Sequence, residues 1–333
     1  MTDFIPETVE EKTPPQAVPV VQQLILVSAV LLLLLGGAIT PHVKAWLAAE
    51  PDVPRTVTTD TDTKAPAETT LDFYSDLSLT ADAVHVYDIT RREVLYSLQP
   101  DKQLPLASVT KLMTALVAHE LLQEEGAVTV DSTALRQDGY SNLLLDEVFT
   151  REALSDLTLI SSTNDAAYAL ASAAGSQIDA QNGAAAFVSA MNIKSEELGL
   201  TQTTFNNPTG LDVSTTKAGA YGSARDVSTL MQHIYETYPE LLEATTNETS
   251  TITSEQGFSH EAINTNYYLD TVPGLIGSKT GYTDLAGGNL VVAFNAGLKR
   301  PVIVTVLGST RHDRFTDVQK LVEATGLHMA SQQ

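Results

Sequence analysis

The chain has 333 residues, with 19 Lys and Arg against 41 Asp and Glu, for a formal net charge of −22. Its length suits one large domain or two small ones, and with 43% hydrophobic and 18% charged residues most of it should fold around a sizeable core. The negative excess argues against nucleic-acid binding, the lack of cysteine excludes disulfides, thiolate metal sites and a cysteine nucleophile, and seven His without metal-ligand spacing leave neither metal nor cofactor expected.

Residues 1–23 are polar, acidic and proline-bearing, and read as a disordered tail. Leu24 to Ile39, LILVSAVLLLLLGGAI, is an uncharged run whose length falls between a signal-peptide core and a full membrane span. Its acidic flank lacks the basic start of a signal peptide, so an uncleaved transmembrane anchor over 24–40 is favoured over cleavage near Gly36-Gly37-Ala38. Trp46 lies where an interfacial aromatic would sit. Residues 41–70 form a Thr/Pro-rich linker; seven of the fifteen residues 56–70 are Thr.

A single folded domain is expected over 71–328. Ala83–Ile89 and Glu93–Leu98 flank Thr90-Arg91-Arg92 and predict a β-hairpin. Helical periodicity follows over Val109–Leu122, Glu152–Ile160, Ala166–Ala174, Ala184–Leu198 and Ala224–Ile234. Strands return at Leu275–Thr283, Asn289–Phe294 and Val302–Leu307, with connections short enough to make them antiparallel neighbours. This predicts an α/β (α+β) fold: a roughly five-stranded antiparallel sheet, flanking helices and a helical subdomain.

Three short motifs carry chemistry. Ser108-Val109-Thr110-Lys111 opens an apolar-faced helix, and three residues is nearly one turn, so the serine and lysine share a face. A lysine partly desolvated at an electropositive helix N-terminus deprotonates more easily and can activate the hydroxyl; taken alone, the same residues read as an N-cap followed by a solvated lysine. Ser162-Thr163-Asn164 sits in a polar break between two helices, where it reads either as an ordinary cap or as a hydroxyl and an amide turned into a cleft. Lys279-Thr280-Gly281 lies inside a strand, where a glycine often marks close backbone approach by a ligand and the cation and hydroxyl suit a carboxylate. Gly277-Ser278-Lys279-Thr280 lacks the glycine before lysine that a phosphate loop needs.

In this order the motifs match S-x-x-K, S-x-N and K-T-G, the signature of penicillin-binding proteins and class A β-lactamases. The chain resembles a serine-type D-Ala-D-Ala carboxypeptidase, a low-molecular-weight penicillin-binding protein of the β-lactamase/DD-peptidase superfamily, over about residues 75–325. PLASVTKLMTA, LISSTNDAAYALA, FVSAMNIKSEELGLTQTTFNNPTGLD, GSARDVSTLM and PGLIGSKTGYTDLAGGNLVVAF carry the resemblance. It implies that Ser108 is the acylated nucleophile, Lys111 the general base and Ser162 a proton relay. Asn164 would hold the substrate amide, and Lys279 and Thr280 the terminal carboxylate beside Gly281. The amides of Ser108 and Tyr282 would form the oxyanion hole, and Arg314 would correspond to a family arginine near the carboxylate. Implied partners are peptidoglycan stem peptides and, as covalent inhibitors, β-lactams.

Thr163 stands where close relatives often carry Gly. The sequence stops at Gln333 soon after its last helix, without the β-rich second domain or C-terminal amphipathic anchor of many relatives. Alternatives are a DD-endopeptidase, a class A-like β-lactamase, for which Glu197-Leu198-Gly199-Leu200-Thr201 approaches the needed E-x-x-L-N, and a non-catalytic wall-binding protein. The implied substrate puts the catalytic domain outside a bacterial cell membrane, held by a single span near 24–40, with the tail 1–23 cytoplasmic. The basic residues flanking the span, Lys12 before and Lys44 and Arg55 after, lean slightly the other way.

Overall fold

The computed structural model describes residues 72–332 except 124, 125 and 140. The expected tail, membrane anchor and linker lie outside the described residues. Among those described, no helix is long and apolar enough to cross a membrane.

The predicted hairpin forms as β1 (Ala83–Asp88) and β2 (Glu93–Leu98). The two-residue β3 (Leu104–Pro105) leads into a 3-10 turn, Ala107–Thr110, and helix α1 (Lys111–Leu121). Next come β4 (Ala127–Thr129), β5 (Val148–Thr150), α2 (Arg151–Ile160), α3 (Asn164–Ser176) and α4 (Gly183–Glu197). After them run β6 (Thr204–Phe205), β7 (Ala220–Gly222), α5 (Ala224–Thr237) and α6 (Glu240–Glu243). The chain closes with β8 (Thr249–Thr253), β9 (Ser259–Ile263), β10 (Leu275–Thr283), β11 (Gly287–Asn295), β12 (Pro301–Ser309) and α7 (Asp313–Ser331).

The expected five-stranded antiparallel sheet is present, in the order β10-β11-β12-β1-β2. Its strands alternate with period two, and both faces are covered. Val291, Ala293, Ile303 and Leu307 point into the larger core, shared with α1 to α5. Leu290, Val292, Phe294, Val302, Val304 and Val306 point into a second core sealed by Phe315, Val318, Leu321 and Val322 of α7. Buried Asp317 fastens α7 by accepting hydrogen bonds from the Thr80 and Ala81 amides and the Ser309 hydroxyl.

Two departures from the sequence reading bear on the site. The helix expected from Val109 begins at Lys111, because Ala107, with φ +48°, starts a 3-10 turn first. Three small sheets, β3-β7-β6, β4-β5 and β8-β9, were not anticipated. They are short, and half of the residues of β8 and β9 are Thr or Ser, with little apolar alternation to read.

His85 on β1 is 3% exposed, and neither ring nitrogen has a hydrogen-bond partner. Burial, reinforced by Arg225, holds its pKa at about 4. The unfolded chain therefore takes up the proton first as pH falls below about 6.5. This stability is complete above that pH and is lost towards pH 4, by roughly 3 kcal/mol. Denaturant titrations at pH 7.5 and 4.5 should show a larger loss for the wild-type protein than for His85→Leu.

Candidate active site

The three motifs converge from the first turn of the helical region, the α2–α3 junction and the sheet's edge strand β10. Ser108 sits in the 3-10 turn, half-buried, directly after the left-handed Ala107. That turn is held from below by Asn289, wholly buried on β11, whose Nδ2 donates to the carbonyls of Pro105 at 2.9 Å and Leu106 at 3.1 Å. Gly281 lets β10 lie against the same turn. A Cβ there would stand 2.8 Å from the Leu106 carbonyl oxygen and 3.2 Å from the Ser108 nitrogen. The close approach expected at this glycine is thus made by the protein's own backbone.

Lys111 corrects the expectation of a partly desolvated side chain, being 0% exposed. Its Nζ lies 2.9 Å from Ser108 Oγ, 2.7 Å from Asn164 Oδ1 and 2.7 Å from the Thr209 carbonyl oxygen. Asn164 Nδ2 donates to the Asp138 carbonyl, which turns its Oδ1 toward the lysine. Burial pushes the Lys111 pKa down to about 7, against the opposing pull of Asp165. A neutral amine has two hydrogens and one lone pair. Two of its neighbours are oxygens that only accept, so they take both hydrogens, and the lone pair faces the Ser108 hydroxyl. That is the geometry of a general base.

Ser162 has φ +61°, a conformation costing a non-glycine residue about 1–3 kcal/mol. Its Oγ accepts a 2.8 Å hydrogen bond from Lys279 Nζ, which also reaches the Thr280 carbonyl at 3.2 Å. Lys279 is 1% exposed, and burial, then the charges of Lys111 and Arg314, hold its pKa well below that of a free lysine. A cavity of about 480 Å³ opens in front of these groups. Ser108, Ser162, Thr280, Gly281, Tyr282, Arg311 and Arg314 are among the residues that line it. Lys279 stands behind Ser162, and Asn164 faces Lys111 and Asp138, so neither presents its polar end as directly as the sequence reading implied. Arg314 is 6% exposed, donates from Nη1 to the Gly281 carbonyl at 2.5 Å and leaves Nε unpartnered; burial, then Arg311, lowers its pKa to about 10.

Sequence reasoning missed Thr209, Asn289 and Thr265. Thr265 places its hydroxyl 2.6 Å from that of Thr280, while its amide donates to the Ile160 carbonyl at 3.1 Å, joining the end of α2 to the third motif. Thr209 lies in the FVSAMNIKSEELGLTQTTFNNPTGLD stretch that carries the resemblance, but nothing there marks its carbonyl as a partner of Lys111. Glu197, weighed as a β-lactamase-type base, is 55% exposed and paired with Lys194 at 2.7 Å, outside the cavity.

A family model described as D-alanyl-D-alanine carboxypeptidase matches residues 69–311. The chain belongs to this family. It is 30% identical over 258 residues to the D-alanyl-D-alanine carboxypeptidase DacF of Bacillus subtilis, covering 75% of this chain and 63% of that protein's length. It is likewise 30% identical over 283 residues to a D-alanyl-D-alanine endopeptidase of Escherichia coli, covering 83% and 84%. Penicillin-binding protein D2 of Listeria monocytogenes, solved in an ampicillin-bound form, superposes with a TM-score of 0.63 at 31% identity, over 75% of this chain and 98% of that one. The family's chemistry is that of a serine DD-peptidase, and the fold here is its fold.

Because only the neutral amine accepts a proton, acylation by a β-lactam should rise with pH through about 7 and level above it. Stopped-flow acylation at pH 6 should run at roughly a tenth of the rate at pH 8. Lys111→Ala should lower the plateau by orders of magnitude. An unchanged profile in that variant would remove Lys111 as the base.

Proposed function

We propose that the chain is a serine DD-carboxypeptidase that removes the terminal D-Ala of peptidoglycan stem peptides through an acyl-enzyme on Ser108. The observation that carries this reading is the Lys111 amine, whose two other hydrogen-bonding directions end on acceptor oxygens. Ser108 Oγ attacks the penultimate carbonyl carbon as its proton passes to Lys111 Nζ. The developing oxyanion is met by the backbone amides of Ser108 and Tyr282. The C–N bond breaks after its nitrogen receives a proton by way of Ser162, and D-Ala leaves as the amine. Water then attacks the ester, giving a proton to Lys111, and Ser108 recovers its hydrogen as the acid departs.

Thr280 and Arg314 receive the terminal carboxylate in this reading, through charge-assisted bonds of about 1.5–3 kcal/mol each to the guanidinium. Lys279 donates to Ser162 Oγ and keeps that hydroxyl oriented. Asn164 fixes Lys111 and guides the substrate amide. No step requires a metal or cofactor. β-Lactams enter as covalent mimics of the D-Ala-D-Ala amide; the Listeria relative is itself solved in an ampicillin-bound form.

Residues 24–40 are proposed as an uncleaved membrane anchor, with the catalytic domain outside the cell on its Thr-rich linker. Support comes from the uncharged run, the solvated composition of 41–70 and the location of the proposed substrate. Protease added to wall-stripped cells should release a penicillin-binding fragment beginning between residues 50 and 70; protection until lysis would reverse the orientation.

A labelled penicillin should bind covalently, one per chain, at Ser108, and mass spectrometry of a pentapeptide digest should show loss of a single D-Ala. Undiminished labelling in Ser108→Ala would overturn the assignment of the nucleophile.

A further inference from the structure

A second cavity, of about 240 Å³, lies beside the catalytic one, and a single side chain, Tyr267, lines both. Tyr267 is 74% exposed, and its ring centroid is 6.2 Å from that of Phe315. It is near enough to Arg314 to influence its titration. The tyrosine therefore stands next to the guanidinium that the carboxypeptidase reading assigns to the terminal carboxylate. On a D-amino-acid leaving group that carboxylate is attached to the α-carbon. A side chain longer than the methyl of alanine branches from the same carbon, and Tyr267 borders both the catalytic cavity and the second one.

The lining of the second cavity has a definite chemistry. Its floor holds Asn264 and Asn266, both buried and already engaged. Asn264 Nδ2 donates to the Thr245 and Asn247 carbonyls, and Asn266 Nδ2 to the Ser278 hydroxyl. Besides Tyr267 and Thr249, the lining holds the apolar Ile263 and Leu269 and two exposed carboxylates, Glu248 and Asp270. No ion pair among the described residues engages either carboxylate. Methylenes lie well along such a lining while an ammonium stays at a hydrated carboxylate rim.

We propose that this cavity is a leaving-group subsite, reached past Tyr267, for a D-amino acid with an aliphatic side chain that ends in an ammonium group. The inference rests on the acyl-enzyme reading above and names what that site releases besides alanine. The bond chemistry is unchanged: the amide C–N bond breaks, its nitrogen gains the relayed proton, and the diamino acid departs as a free amine. Glu248 and Asp270 act on binding of the leaving group and take no part in the chemical step.

The experiment compares acylated peptides ending in D-Ala-D-Ala, D-Ala-D-Lys and D-Ala-D-norleucine, the last supplying the methylenes without the charge. The full chain is expected to hydrolyse the D-Lys peptide with kcat/KM at least equal to that for D-Ala, and the D-norleucine peptide several-fold more slowly than D-Lys. In the double variant Glu248→Gln/Asp270→Asn, the D-Lys value should fall about fivefold and the D-Ala value should stay unchanged. Hydrolysis of the D-Ala peptide with rejection of D-Lys would overturn the subsite and leave the carboxypeptidase reading intact. Failure on all three peptides would instead overturn that reading. A double variant that loses D-Ala and D-Lys turnover equally would also overturn the subsite, because the carboxylates would then be structural.

Discussion

A lysine amine sealed from water has to place each of its hydrogens on an acceptor, and the site is organised around that requirement. Lys111 meets two oxygens that can only accept, one from the Asn164 side chain and one from the Thr209 backbone. The third direction falls to Ser108. Desolvation supplies the thermodynamic half of the arrangement, since a buried charge is costly and the neutral form is correspondingly favoured. The two fixed acceptors supply the geometric half. Neither would suffice alone: a neutral but freely rotating amine would offer its lone pair in any direction, and a fixed but charged one would have no lone pair to offer.

The rest of the site holds that amine and its serine in register. Asn289 and Gly281 clamp the 3-10 turn against two neighbouring strands, one through hydrogen bonds and the other through the absence of a side chain. Ser162 accepts a strained backbone so that its hydroxyl meets Lys279. Thr265 ties the end of α2 to Thr280. The Arg314 guanidinium, within a chain of net charge −22, is a local positive charge where a substrate carboxylate would arrive.

The sheet was legible because β11 and β12 are apolar runs of strand length between turn residues, burying side chains on both faces. The motifs were legible as an ordered set, each of them being too short to mean much alone. Hidden from the sequence were the features made by distant parts of the chain. The burial of Lys111 depends on a carbonyl at Thr209, 98 residues on, and a backbone oxygen carries no residue-type signature. The left-handed φ of Ser162 is similarly silent, since serine gives no warning of it in the way glycine does. Lys279 reads as a carboxylate ligand from its strand, and only the fold shows Ser162 standing between it and the cavity. The expectations for residues 1–70 fall outside the described part of the chain.

Strand β10 forms one edge of the five-stranded sheet. Unpaired strand edges invite other chains to add to them, and proteins usually blunt them with charge, bulges or a covering segment. Here Thr280, Gly281 and Tyr282 of that strand line the cavity, while the turn that carries Ser108 packs on the strand's face at Gly281, so closely that a methyl group would not fit between them. A residue larger than glycine at position 281 would therefore displace that turn and move Ser108 relative to the cavity.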